Sequence, residues 1–211
     1  MNQIYTSALE LEEKKFFAQA YENFQKCLMQ DIGCRAEVLF HSGWCLEQQF
    51  GNSSEEALIY YLEGAETGSE NSCAMNCSFR AGWILMHLKN FNKASINFSN
   101  SRRIGIEHRL INNIFADATY WLAICLEAQN HYLEALKLYK ELETYSFAIA
   151  PESKWREINC LNQIGFYDEA LKTCNSFYSV KPEGFDELRF SELRQKVQRE
   201  KEILSQIIFS Q

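Results

Sequence analysis

The sequence predicts an all-α, right-handed superhelical solenoid of five helix hairpins followed by one capping helix. A leucine recurs five times along the 211 residues, at steps of 35, 39, 41 and 35 residues. An alanine follows nine residues after four of these leucines and eleven residues after the second. A period of this size, with helical spacing inside it, is typical of repeat solenoids rather than globular enzymes. The recurring residues are Leu11, Leu46, Leu85, Leu126 and Leu161, with Ala20, Ala57, Ala94, Ala135 and Ala170.

The first helix of each hairpin is expected to carry the leucine, which we number as position 11 of its repeat. Position 8 is small in four repeats, and a minimal side chain there lets two helices approach closely. The four small residues are Ala8, Gly43, Gly82 and Ala123, whereas the fifth repeat has Ile158. A free face of such a hairpin has to be covered by its neighbours, so stacked hairpins share the core.

The second helix of each hairpin is expected to carry the alanine, at position 20. Alanine permits the same close approach without a cost in helix propensity. Aromatic residues at positions 17 and 24 are expected to fill the wedge between hairpins. These are Phe17, Phe24, Tyr61, Phe91, Phe98, Tyr132, Tyr139 and Tyr167.

This pattern of small, leucine, alanine and aromatic positions resembles the tetratricopeptide repeat (TPR), from residue 1 to about 184. The predicted repeats are residues 1–34, 36–74, 75–115, 116–150 and 151–184, with a capping helix over 185–211. The second repeat has two extra residues between its helices. The link between the third and fourth repeats is about seven residues too long, which predicts a helix lengthened by about two turns. Asp186 is the expected N-cap of the terminal helix. The alternative for that helix is self-association through Ile207, Ile208 and Phe209.

Composition and motifs disfavour several functions. The net charge of −7 disfavours nucleic acid as a partner. The N-terminus lacks the pattern of a secretory signal, and no apolar run is long enough to cross a membrane, so a cytoplasmic protein without a membrane partner is expected. There is no glycine-rich phosphate loop and no paired histidine motif, which predicts neither an enzyme nor a cofactor.

The eight cysteines are predicted to be free thiols, because most lie at core positions and behave as small hydrophobic residues. Cys45, Cys125 and Cys160 directly precede a repeat leucine and are expected to be buried. Cys73 and Cys77 are expected to be the most accessible pair. With His87 they raise a metal or redox sensor as a further hypothesis, but a second ligand pair at the usual spacing is missing, so no metal is predicted.

Positions 2, 5, 9 and 12 of a first helix share one face. The TPR resemblance implies that this face lines the concave groove. The predicted groove residues are Tyr5, Phe40, Trp44, Phe79, Arg80, Trp83, Tyr120, Trp121, Trp155 and Arg156. Acidic residues are expected at the edges, namely Glu12, Glu37, Glu47, Asp117, Glu127 and Glu152. The alternative is that the position-5 aromatics only pack helices together.

These features predict a non-catalytic scaffold or adaptor that binds a protein or peptide segment bearing apolar side chains and some Lys or Arg. The arginines at position 6 are expected to orient the bound segment. The alternative is a self-assembling homo-oligomer whose groove receives a segment of another copy. TPR proteins that clamp chaperone C-termini carry Lys and Asn where this chain has Tyr5 and Leu9, so that subclass is disfavoured.

Overall fold

The computed structural model describes residues 2–67, 72–144, 150–177 and 185–210. Over these residues it contains eleven α-helices and no strand, which confirms the predicted all-α repeat of five hairpins and a terminal helix. The first helices of the hairpins are α1 (Gln3–Glu13), α3 (Arg35–Phe50), α5 (Ser72–His87), α7 (Asn113–Ala128) and α9 (Ala150–Gln163). The second helices are α2 (Phe17–Met29), α4 (Glu55–Glu66), α6 (Phe91–Glu107), α8 (Tyr132–Thr144) and α10 (Tyr167–Phe177), and α11 is Glu187–Phe209.

The chain divides into two compact units, residues 1–118 (unit 1) and 119–211 (unit 2), with the boundary inside α7. In unit 1, helices α1 to α6 pack in chain order, each against the next. In unit 2, α8 packs against α9, α9 against α10, and α11 against both α10 and α9. Consecutive packing of this kind is what allows each hairpin to be covered by its neighbour.

The repeat alanines and leucines lie in the predicted helices. All five alanines are in second helices and are fully buried, as predicted. All five leucines are in first helices, and Leu46, Leu85 and Leu161 are buried. Leu11 and Leu126 are only partly buried, so the expectation that every repeat leucine is buried is wrong for these two.

Close approach at position 8 is visible at two glycines of unit 1. A Cβ atom on Gly43 would lie 2.9 Å from the Tyr61 ring. A Cβ atom on Gly82 would lie 2.9 Å from the Phe98 ring. Because both rings belong to position 24 of the same hairpin, the missing side chain lets an aromatic ring rest directly on the first-helix backbone.

The turn inside each hairpin is closed by the carbonyl group of the repeat leucine. In four repeats the residue at position 15 has a positive φ, and the next N–H donates to the leucine carbonyl at 2.9 Å. This is the hydrogen-bond pattern that commonly ends a helix with a left-handed residue. The position-15 residues are Lys15, Lys89, Asn130 and Gly165. In the second repeat the two extra residues change the turn, and Gly51 N–H donates to the Glu47 carbonyl at 2.8 Å.

The structure also accounts for the extra residues after the third repeat and for the start of the terminal helix. Helix α6 has 17 residues, against 13 in α2 and 12 in α4, so part of the extra length after the third repeat extends α6. Asp186 caps α11, because its side chain accepts a hydrogen bond from the Arg189 N–H at 2.8 Å. Leu193, Val197 and Leu204 are the buried residues of α11. Within the described ranges no helix is both long and apolar enough to span a membrane.

Candidate functional site

The aromatic residue at position 5 packs against the aromatic residue at position 24 of the same hairpin. The four ring pairs have centroid distances of 6.2 Å (Tyr5–Phe24), 6.0 Å (Phe40–Tyr61), 5.7 Å (Phe79–Phe98) and 5.9 Å (Tyr120–Tyr139). Tyr5, Phe79 and Tyr120 are consequently buried, each with only 7% of its surface exposed. The partial exposure expected for these three groove residues is therefore not observed, because each ring joins the two helices of its hairpin.

The fifth repeat lacks this ring pair. Its position-24 residue is Cys174, which is buried, and its position-5 residue Trp155 is only partly buried. Phe40 is also partly buried. Among the position-5 aromatics, these two keep surface that a ligand can contact.

A second layer of side chains, partly buried except for one exposed histidine, follows α3 and α5 in unit 1. We call it the unit 1 face and define it as Phe40, Trp44, Arg80, Trp83 and His87. The Arg80 guanidinium carbon lies 5.3 Å from the centre of the Trp44 ring, within the range of a cation–π contact. The Trp83 ring centre is 4.6 Å from the imidazole of His87. His87 Nδ1 donates to the Trp83 carbonyl at 2.9 Å, which fixes its orientation.

The corresponding side chains of unit 2 lie on α7 and α9. We define the unit 2 face as Tyr120, Trp121, Trp155 and Arg156. Tyr120 and Trp121 meet edge-on with ring centres 5.3 Å apart. Trp121, Trp155 and Arg156 are all partly buried. Burial raises the pKa of the Tyr120 phenol, and the neighbouring Arg156 guanidinium opposes that rise.

Arg80 is held by a buried carboxylate. Its Nε donates to Glu47 at 3.0 Å, and its Nη2 donates to the other oxygen of the same carboxylate. The Tyr61 hydroxyl donates to Glu47 at 2.9 Å. The Glu47 side chain is only 1% exposed and that of Arg80 is 20% exposed. Paired hydrogen bonds from one guanidinium to one carboxylate are among the stronger polar contacts in proteins.

Arg156 is held in the same way in unit 2. Its Nη1 donates to Glu127 at 3.0 Å. The Cys160 thiol lies 3.6 Å from the other oxygen of that carboxylate. Burial, followed by the nearby Glu127 carboxylate, raises the pKa of the Tyr139 phenol. The position-24 aromatic thus again borders the carboxylate.

These contacts follow one rule, in which a carboxylate at position 12 pairs with an arginine or a histidine at position 6 of the next repeat. We call them the 12–6 pairs: Glu12–His41, Glu47–Arg80 and Glu127–Arg156. Glu12 lies 2.9 Å from His41 Nδ1. At the junction between the third and fourth repeats both positions are uncharged in the sequence, being Met86 and Trp121. These pairs were not predicted from the sequence. Opposite charges that are present together in some repeats and absent together in another, at the same two positions, nevertheless indicate a contact between those positions.

The predicted acidic edge is therefore satisfied largely within the chain. Besides the 12–6 pairs, Glu152 forms an ion pair with Arg189 of α11. Burial raises the pKa of Asp117, and the pKa of Tyr5 is raised by its own burial and then by the neighbouring Glu37. Four of the six predicted edge carboxylates, Glu12, Glu47, Glu127 and Glu152, thus have a partner in the same chain.

The cysteines follow the predictions in part. Cys45, Cys125 and Cys160 are buried as predicted, and all eight cysteines are free thiols. Burial raises the pKa of Cys125 to about 12. Cys77 is fully buried against the Ala36 carbonyl, so the expectation that it belongs to the most accessible pair is wrong, and Cys34 is the exposed cysteine. No cluster of three or more His, Cys, Asp or Glu side chains suited to a metal ion occurs in the described part of the chain.

Comparisons with known proteins agree on the architecture. No protein-family model matches the sequence, and no curated protein matches it. A tetratricopeptide repeat protein from Parabacteroides merdae has a TM-score of 0.68 at 16% identity, covering 99% of this chain and 80% of that one. The MamA protein has a TM-score of 0.65 at 16% identity, covering 85% and 92%. The apo form of RapI has a TM-score of 0.63 at 13% identity, covering 82% and 67%. The fold is therefore that of TPR-type helical repeats.

Proposed function

We propose that this chain is a non-catalytic scaffold that binds a protein or peptide segment on the unit 1 face and on the unit 2 face. One observation carries the proposal: the four tryptophans remain partly exposed, although the rings beneath them at position 5 are mostly buried. Tryptophan and arginine are the side chains most often responsible for binding energy at protein interfaces. Both faces combine the two residue types on neighbouring first helices of one fold.

The partner that fits best is an apolar segment. Four of the six carboxylates that favoured a basic partner in the sequence are paired with Arg80, Arg156, Arg189 and His41 of the same chain. Little free negative charge is left to attract Lys or Arg. We therefore propose that leucine-type or aromatic side chains of the partner insert between the tryptophans, with backbone groups supplying the polar contacts.

The test is a double variant, Trp44→Ala with Trp83→Ala. A peptide selected from a random library against the wild-type protein serves as the ligand, and its Kd is measured by fluorescence polarisation. Loss of two aromatic anchors is expected to weaken binding at least thirtyfold, that is by about 2 kcal/mol or more. The matched control is Ile96→Ala, because Ile96 is 67% exposed on α6 and belongs to neither face. It is expected to bind like the wild type.

Thermal unfolding of the same variants distinguishes binding from packing. If Trp83→Ala alone costs several kcal/mol of stability, as a core aromatic does, then Trp83 is a packing residue. Unchanged peptide affinity in the double variant would likewise remove the unit 1 face as a binding site. Either result leaves the fold assignment intact.

Self-assembly is the second candidate, favoured by the terminal helix α11. Its outer surface exposes Leu188, Ile203 and Phe209, at 72%, 48% and 91%. Exposed apolar residues on one helix are a common feature of interfaces between copies. Light scattering of the wild type and of Phe209→Glu tests this candidate: a dimer that becomes a monomer in the variant supports self-assembly through α11.

A further inference from the structure

We infer that Glu47 determines the charge preference of the unit 1 face, because it neutralises Arg80 and so makes this face select uncharged apolar segments over acidic ones. The inference rests on the proposed function, since it assumes that a segment binds beside Trp44 and Arg80. It adds a specificity residue that the ligand does not touch. Glu127 is the equivalent residue behind Arg156 in unit 2.

The first step concerns which charge a ligand meets. Arg80 lies over the Trp44 ring and its side chain is 20% exposed, so a ligand on Trp44 reaches the guanidinium. Glu47 is 1% exposed and lies behind it, within hydrogen-bond distance of two guanidinium nitrogens. A ligand therefore approaches an arginine whose counter-charge is already in place.

The second step concerns how firmly the counter-charge is held. Glu47 accepts hydrogen bonds from the Tyr61 hydroxyl and from two nitrogens of Arg80. Its burial leaves no route by which water or a bound ligand can replace these donors one at a time. A carboxylate on a ligand would have to compete with an existing, oriented pair for the same guanidinium. Acidic segments thus gain little from Arg80.

The third step compares the two faces. Glu127 is 15% exposed and Arg156 is 38% exposed, and only one guanidinium nitrogen of Arg156 donates to Glu127. The counter-charge is therefore held more loosely in unit 2. We expect the unit 2 face to tolerate acidic residues better than the unit 1 face does.

The experiment uses Glu47→Gln, which keeps an oxygen for Tyr61 and Arg80 and removes the negative charge. The probes are two labelled synthetic peptides with blocked ends, one built from leucine, phenylalanine and serine, and one with glutamate in place of every serine. Binding of both peptides to every variant is measured in the same buffer, at low and at high salt. We expect the affinity of Glu47→Gln for the acidic peptide to rise about fivefold over that of the wild type at low salt. The gain should shrink in high salt, because exposed charges are then screened.

Two matched variants isolate the cause. Glu107→Gln makes the same change in net charge but releases Arg103, an exposed residue on α6 outside both faces. It should show no gain for the acidic peptide. Glu47→Gln combined with Arg80→Gln removes both members of the pair and should lose the gain seen in Glu47→Gln alone. If Glu47→Gln does not fold, as judged by circular dichroism, Glu127→Gln provides the same comparison through Arg156.

The outcomes separate this inference from the proposed function. A wild type that binds the uncharged peptide, with no gain for the acidic one in Glu47→Gln, overturns the inference and leaves the function standing. A wild type that binds neither peptide contradicts the proposed function and, because the inference rests on that function, overturns the inference as well. An equal gain in Glu107→Gln, a wild-type preference for the acidic peptide, or no binding by any variant overturns the inference.

Discussion

Each unit contains a glutamate at position 12 that pairs with an arginine at position 6 of the next repeat, yet the resulting contacts differ. In unit 1, Glu47 is 1% exposed and is bonded to Tyr61 and Arg80. In unit 2, Glu127 is 15% exposed and is bonded to one nitrogen of Arg156 and to a thiol. The repeat thus fixes where a charged pair lies, while the neighbouring side chains decide how deeply it is buried. Depth in turn decides how much the pair contributes to stability.

The largest effect on stability is predicted for a substitution that breaks the Glu47–Arg80 pair of unit 1. Glu47→Ala leaves the Arg80 charge and the Tyr61 hydroxyl without their acceptor, and we expect a loss of about 3–4 kcal/mol in the free energy of unfolding. Glu127→Ala should cost only about 1 kcal/mol, because Arg156 is more exposed and water can solvate it. Urea unfolding followed by circular dichroism measures both variants. Equal losses would show that the difference in depth has no energetic consequence.

The next prediction sharpens the comparison at position 8, which is glycine in the second and third repeats, in unit 1, and alanine in the fourth repeat, in unit 2. Gly82→Val should destabilise the protein by about 2 kcal/mol, because even a Cβ atom there meets the Phe98 ring at 2.9 Å. Ala123→Val adds less to a position that already accommodates a Cβ atom, so a loss of about 1 kcal/mol is expected. Thermal unfolding of the two variants shows which substitution destabilises the protein more. A larger loss for Ala123→Val would contradict the close-approach role of Gly82.

The smallest predicted effect concerns a buried carboxylate of unit 2 without good donors. Burial, followed by a hydrogen bond with Glu143, raises the pKa of Glu157 to about 7, and Lys154 at 3.1 Å opposes this rise. A carboxyl group with a raised pKa in the folded state favours folding most below its unfolded pKa and loses that contribution as the pH rises towards 7. Glu157→Gln should therefore gain about 1 kcal/mol in stability above pH 7 and little near pH 4. The free energy of unfolding of the wild type and of Glu157→Gln, measured across this pH range, tests this prediction. A gain in stability confined to low pH would contradict it.

The period of leucine and alanine was sufficient to predict the ten hairpin helices and their order, because helix spacing and core positions are local properties. It was also sufficient to place the five alanines, all of them fully buried. The exposure of the aromatics could not be obtained in the same way. Tyr5 and Trp155 occupy the same position, but Tyr5 meets a ring at position 24 and Trp155 meets none. Exposure there depends on a partner in another helix.

The pairing of the arginines was missed for a related reason. Arg80 and Arg156 were predicted to orient a ligand, and each is in addition bonded to a glutamate of the preceding repeat. A face assigned within one helix does not show which residue of the next hairpin lies opposite. Comparing positions 12 and 6 of successive repeats would have revealed the complementary charges. Where position 12 is not glutamate (Met86), position 6 of the next repeat is not a basic residue either (Trp121).

The turn inside the hairpin has a consequence for how such sequences diverge. Its closing hydrogen bond joins two backbone groups, the leucine carbonyl and the N–H of position 16, at 2.9 Å in four repeats. The left-handed residue before that N–H is lysine twice, asparagine once and glycine once. Since no side chain takes part in the bond, the residue at position 15 differs between repeats while the hairpin keeps the same closing hydrogen bond. A substitution at this position therefore changes the sequence of the repeat without removing the contact that closes its turn.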